Sequence, residues 1–377
     1  MIYFDHAASS FPKPKEVIQA VSDALENFSA NPGRGNHALA ERAASVISEA
    51  RKELAHFFGL SNPNRVVFFQ NATMALNQAI LGFPFQQKDH VIATAFEHNS
   101  VRRPLEACVE KKGIEVTYLP ANDGAFHEEM WQAACRSHTK LIVVAHASNV
   151  TGDVMPLEEI AKFAEQHDVP LLVDASQTAG VLPIHMEQMG IDLLAFPGHK
   201  SLLGPQGTGV LLIGEGIELE PIVYGGTGAY SESREQPDAL PYKYESGTLN
   251  TPGIAGLLAG LRVVKMRTLE AIASHERKLA KECIRQLAAI DGVHVYGSGN
   301  VGVVSFAIDG ADSHEIAMIL DQHYHIAVRA GLHCSPLAHE QLGTLDTGLI
   351  RASFGFTNTM EEVNAFIQAI KEIKPYY

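Results

Sequence analysis

The residues best suited to chemistry stand where apolar runs stop. "AFPGHKSLLGPQGTGVLLI" holds Lys200, with His199 before it, in a Gly- and Pro-bearing loop between two apolar segments. An ammonium at the end of a buried strand has to be paired, reach water or lose its proton. Four other apolar runs also end in polar residues. "VPLLVDASQTAG" supplies Asp174 and, three residues on, Gln177; "KLIVVAHASNVTG" supplies Asn149. "HVIATAFEHNS" supplies His98, and "RVVFFQNAT" supplies Ala72 and Thr73 at the start of a helix. Singly, each has a plainer reading. Asp174, Asn149 and Thr73 can be capping or turn residues, and His98 a packed histidine. "GPQGTG" is a weak phosphate loop, because a strand follows it where an anion site wants a helix N-terminus.

Together these residues fit one chemistry. A pyridoxal 5'-phosphate site needs a lysine to hold the aldehyde as a Schiff base and a carboxylate to keep the pyridine nitrogen protonated. It also needs a donor for the phenolate oxygen, a flat group against the ring and a helix N-terminus for the phosphate. Lys200, Asp174, Gln177, His98 and Thr73 are residue types for those tasks, in that order.

Such residues need a scaffold, and the hydrophobic pattern supplies one. Residues 14–28 and 37–58 have helical apolar spacing. Strand runs rich in Val, Leu and Ile then alternate with helical ones as far as "GTGVLLI". That alternation predicts an α/β fold: a mostly parallel sheet covered on both faces, with its ligand site outside the carboxyl ends of the strands. From about Thr251 the rhythm changes. A single long helix over 252–289 is expected, then "VHVYG", "VGVVSFAI", "IAVRA" and "LIRASF" with helices between and after them. The division expected is 1–251, an N-terminal segment plus the large domain, and 252–377, a smaller α+β domain.

Composition narrows the partners. Lys plus Arg total 29 against 43 Asp plus Glu, a net charge of −14, which argues against nucleic acid or an anionic membrane as the main partner. Hydrophobic residues at 46% and charged residues at 19% suit a soluble globule, and no apolar run approaches the roughly 18 residues of a membrane helix. "MIYFDHAASSFPKP" lacks the pattern of a signal peptide, so a cytoplasmic location is expected. The cysteines, Cys108, Cys135, Cys283 and Cys334, lie far apart without a CxxC, so neither a zinc cluster nor disulfides are expected. The histidines of "DQHYH" read as surface residues after a helix rather than as metal ligands.

Nearly end to end, the chain resembles the class V aminotransferase group and, within it, the cysteine desulfurases. The resemblance runs through "YFDHAAS", "NPGRGNHALA", "EHNSVRRP", "SNVTG", "VDASQTAG", "PGHKSLLGPQGTGVL", "ESGTLNTPG", "VRAGLHCSP" and "IRASFGFTNT". It implies a fold type I pyridoxal phosphate transferase. Lys200 would be the Schiff-base lysine, Asp174 the partner of the ring nitrogen and Gln177 a contact of the phenolate oxygen. His98 would stack on the ring and shuttle protons, and Asn149 would meet the substrate carboxylate or the cofactor. Ala72, Thr73 and His199 would hold the phosphate. Thr248 would reach the phosphate of a second subunit, implying a homodimer. Arg351 would grip the substrate carboxylate, a task suited to its planar fork.

The same resemblance gives Cys334 its role. The residue alone reads as a small buried apolar group, but the surrounding "RAGLHCSPLAHEQLG" matches the segment that carries a nucleophile. L-Cysteine joined to the cofactor would lose its α-proton to Lys200, and the Cys334 thiolate would attack the substrate sulfur, leaving alanine and an enzyme persulfide. The short stretch to Arg351 resembles the SUF-type desulfurases, which pass sulfur to an acceptor protein for iron–sulfur cluster assembly; relatives in that subgroup act on L-selenocysteine. In a selenocysteine lyase the selenium leaves without help from the cysteine, and in a class V transaminase or lyase Cys334 would be incidental. Two positions depart from the pattern: Pro197 stands where short-loop relatives usually have serine, and Gly33 where they often have histidine, beside Arg34 and His37.

Overall fold

The computed structural model describes residues 1–33, 35–121 and 124–377, so Arg34 lies outside the described residues. The chain opens with β1 (Ile2–Tyr3), α1 (Lys15–Asn27) and α2 (Ala38–Phe57), the last capped by His37. The alternating region follows as β2 (Val66–Phe69), α3 (Ala72–Leu81), β3 (His90–Thr94), α4 (Asn99–Lys112) and β4 (Glu115–Leu119). Next come α5 (Glu128–Ala134), β5 (Thr139–Ala145), α6 (Leu157–Gln166), β6 (Leu171–Asp174), β7 (Leu193–Pro197) and β8 (Gly209–Ile213). Among the described residues these strands form a seven-stranded sheet in the order β2-β8-β7-β6-β5-β3-β4. β3 to β7 run parallel, and β8 is antiparallel to both its neighbours.

The unbroken apolar runs follow from burial on both faces. In β6, Leu171 and Val173 pack into one layer and Leu172 into the other, and all three are fully buried. Each such side chain contributes about 1.5–3 kcal/mol. The helices covering the sheet show the complementary pattern. α6 buries Leu157, Ile160 and Phe163 and places Glu158 and Glu159 in its first turn, where the helix dipole favours them. α4 ends at Gly113 with φ 69°, the left-handed cap its sequence predicts.

The long helical run after Thr251 is not one helix. It divides into α7 (Thr251–Arg267) and α8 (Leu269–Leu287) at Thr268, whose φ of 67° breaks the first and whose hydroxyl caps the second through Ala271 N–H. α7 packs on α1 and α2, whereas α8 packs on α11 (Met360–Ile373), β9 (Val293–Tyr296) and β10 (Val303–Ile308). "IAVRA" is divided as well. β11 (Ile326–Ala327), after α9 (Ser313–Tyr324), pairs in parallel with β1. β12 (Arg329–Gly331) joins an antiparallel sheet ordered β12-β13-β10-β9, with α10 (Pro336–Leu342) leading to the buried β13 (Leu349–Ser353). Its core includes Phe306, Ile350 and Phe366. No helix of the described residues is long and apolar enough to cross a membrane.

Candidate active site

The parallel strands end on one side of the sheet, and that is where the polar residues meet. A cavity of about 210 Å³ is lined by Ala72 and Thr73 after β2, His98 after β3, Asn149 after β5, Asp174 and Gln177 at the end of β6, and His199 and Lys200 after β7. Arg351, from β13 of the second sheet, closes it. Pro197, where the sequence departs from its relatives, also lines the wall. Thr248 is not in this group. It is exposed and lines a separate depression of about 550 Å³ with Gly33 and Arg51.

Asp174 ends its strand in a tight turn, with Oδ1 accepting from Ser176 N–H at 2.9 Å. Burial lowers the Lys200 pKa to about 8; Asp174 opposes that shift, while Arg351 and Arg329 reinforce it. A minor but appreciable fraction of Lys200 is therefore a neutral amine near neutral pH, far more than for an ordinary lysine. His98 is the N-cap of α4, and its Nδ1 accepts from Ser100 N–H at 3.0 Å. That bond leaves the proton of the neutral ring on Nε2. Burial holds the His98 pKa at about 4, so the ring is uncharged at neutral pH.

The cavity contains an anion-binding end. α3 starts at Ala72, behind Asn71, whose side chain accepts from Met74 N–H at 2.9 Å. The first helical N–H groups, on Ala72 and Thr73, have no partner within the helix and lie at the cavity wall. Thr73 Oγ1 is 2.8 Å from Ser100 Oγ, which is in turn 2.9 Å from His98 Nδ1. His199 Nδ1 is buried without a partner among the described residues, and burial holds that ring's pKa at about 4. Helix amides, a hydroxyl and an orphaned ring nitrogen suit a phosphate. With Lys200 and Asp174 beyond them, the donor set fits pyridoxal 5'-phosphate.

The cysteine loop reaches the cavity wall through His333, whereas Cys334 is not among the lining residues. Cys334 is exposed, whereas Cys108 and Cys283 are buried, so the plain reading as a small core residue fails for this one. His333 and Cys334 have φ of 51° and 60°, two successive left-handed residues that turn the chain sharply. Asn149 fastens the loop on both sides of the cysteine: its Nδ2 donates to the His333 carbonyl at 2.7 Å, and its Oδ1 accepts from the Ser335 hydroxyl at 2.6 Å. The Asn149 side chain is thus engaged with the loop. Arg329, a cavity residue the sequence reading did not single out, has Nη2 3.9 Å from Cys334 Sγ. It stands in β12 opposite Arg351, a pairing that no local sequence pattern announces. Ser100 and Asp5 were likewise missed; Asp5 Oδ1 lies 2.9 Å from Arg351 Nη2.

The sequence pattern of the Aminotransferase class-V family matches residues 2–366. The chain belongs to that family. Among class-V relatives, a probable cysteine desulfurase of Methanothermobacter thermautotrophicus is 34% identical over 99% of this chain and 94% of its own. Another, from Halalkalibacterium halodurans, is 33% identical over 100% of this chain and 94% of its own. Of solved structures, the cysteine desulfurase of Thermococcus onnurineus superposes with a TM-score of 0.93 at 33% identity, covering 100% of this chain and 95% of that one. The Escherichia coli cysteine desulfurase CsdA gives 0.90 at 28% identity, covering 98% and 94%. A class-V fold, with a mostly parallel central sheet and a smaller C-terminal unit, is therefore what the chain adopts.

Proposed function

We propose that the protein is a pyridoxal 5'-phosphate-dependent cysteine desulfurase, converting L-cysteine to L-alanine and an enzyme persulfide. The observation that carries this reading is an exposed Cys334 whose loop is fastened, through Asn149, to the cavity that holds Lys200 and Asp174. Lys200 would hold the cofactor, Asp174 its ring nitrogen, Gln177 its phenolate oxygen, and Ala72, Thr73 and His199 its phosphate. When bound, the cofactor supplies an electron sink for the charge left at the substrate α-carbon.

The chain's own groups do the rest. Arg351 takes the substrate carboxylate and so orients the amino acid. Lys200, as the neutral amine, removes the α-proton. His98, neutral with its proton on Nε2, would pack against the ring and could pass that proton. The Cys334 thiolate attacks the substrate sulfur: the new S–S bond forms as the Cβ–S bond breaks, and the carbon fragment leaves as alanine after gaining one proton at Cβ and regaining one at Cα from Lys200. A homodimer, with Thr248 reaching the neighbouring subunit's phosphate, and a sulfur-acceptor protein complete the proposal.

Alanine release from L-cysteine under reductant tests it, in the wild type and in Cys334→Ala. Alanine from the wild type with at least a hundredfold loss in the variant is expected for a nucleophile. Equal release would remove Cys334 from the mechanism. Release from L-selenocysteine alone, surviving in the variant, would make the enzyme a selenocysteine lyase.

A further inference from the structure

Residues 5–13 cross from one sheet to the other and touch the reaction groups of both. β1 pairs with β11, and Asp5 continues into an isolated bridge with Ser353, two residues beyond Arg351. The Ala7 carbonyl then accepts from Gln177 Nε2 at 3.3 Å. Next, the carbonyl of His199, adjacent to Lys200, receives Ser10 N–H at 3.1 Å and Lys13 Nζ at 2.7 Å, with the Ser9 and Ser10 hydroxyls at 3.3 and 3.2 Å. One short strap therefore anchors the peptide before Lys200 at one end and meets Arg351 at the other.

Asp5 determines how Arg351 presents itself. Nη2 of Arg351 bonds Asp5 Oδ1 and Nη1 donates to the Asn149 carbonyl, both at 2.9 Å, while the buried Nε has no partner among the described residues. The side chain is 1% exposed. A guanidinium is a planar fork; anchoring two of its nitrogens fixes the plane and leaves the remaining N–H groups for a second carboxylate. Asp5 is itself held, since its carbonyl accepts from Ala8 and Ser9 N–H. We infer that Asp5 is the positioning residue for substrate-carboxylate recognition, holding Arg351 with Nε free while the strap it belongs to sets that group's place relative to Lys200. This rests on the reading of Arg351 as the carboxylate clamp.

The test compares two amines that differ only in the carboxylate. Binding of L-alanine and of ethylamine to the holoenzyme is followed through its visible absorbance, in the wild type, Asp5→Asn and Asp5→Glu. In Asp5→Asn the L-alanine Kd is expected to rise roughly tenfold, the scale of one lost charged hydrogen bond, with ethylamine unchanged. Asp5→Glu keeps the charge but alters the reach, and covers the case in which losing the charge prevents folding; it too should weaken L-alanine selectively. An unchanged L-alanine Kd, or equal weakening for both amines, would overturn the inference, because a merely structural strap does not distinguish them. Selective binding by a wild type that releases no alanine from cysteine would sink the desulfurase reading and leave the role of Asp5 standing.

Discussion

Lys200 sits between influences that pull its proton in opposite directions. Burial, with Arg351 and Arg329, favours the neutral amine, and Asp174 favours the ammonium; burial wins and the pKa falls to about 8. The neutral amine is the nucleophile that captures an aldehyde, so the sign is direct: capture speeds up as pH rises and the ammonium loses its proton. The rate at which cofactor-free protein takes up pyridoxal 5'-phosphate, read by absorbance, should climb through pH 8 and level off above it. An ordinary surface lysine would keep climbing toward about 10.4. A rate still rising through pH 10 would show that Lys200 is not held in a desolvated, cation-flanked position.

At the level of elements, the anion end depends on how closely β8 approaches the start of α3. A Cβ at Gly209 would overlap the backbone of Asn71, the residue that caps α3. Gly209→Ala must therefore force the strand and the helix start apart and disturb the geometry of that start. The expected cost is about 1–3 kcal/mol of stability, together with weaker retention of pyridoxal 5'-phosphate, measured by thermal unfolding and by dialysis against cofactor-free buffer. Retention equal to the wild type would mean that α3 does not hold the phosphate. The same scale shows what the sequence discloses. Strand ends carrying Asp174, His98 and Lys200 were legible because apolar runs stop there and parallel sheets place ligands at those ends. The break at Thr268 was not, since no Gly or Pro marks it, and a threonine with φ 67° follows from packing rather than propensity. Nor could local pattern separate β11 from β12, which join different sheets, one in parallel and one antiparallel. Asp5 escaped for a related reason: its partner Arg351 lies 346 residues away, and nothing local announces such a pair.

For the whole molecule the open residue is Thr248. It is exposed and lines a depression with Gly33 and Arg51, apart from the cavity of Lys200, so in a single chain it does not line the anion end it is proposed to serve. A second copy would resolve that separation by bringing its own Thr248 to the first chain's cavity. Mixed dimers separate action between chains from action within one. Thr248→Ala alone should lose cofactor faster than the wild type, and Lys200→Ala alone should hold none covalently. In a dimer of one chain of each kind, one site keeps Lys200 and receives an intact Thr248 from its neighbour. After the two variants are mixed through mild dissociation and reassembly, that site should regain wild-type retention, read as the slow-release fraction of the visible absorbance. If Thr248 served its own chain, every surviving Lys200 would still face the altered residue, and mixing would restore nothing.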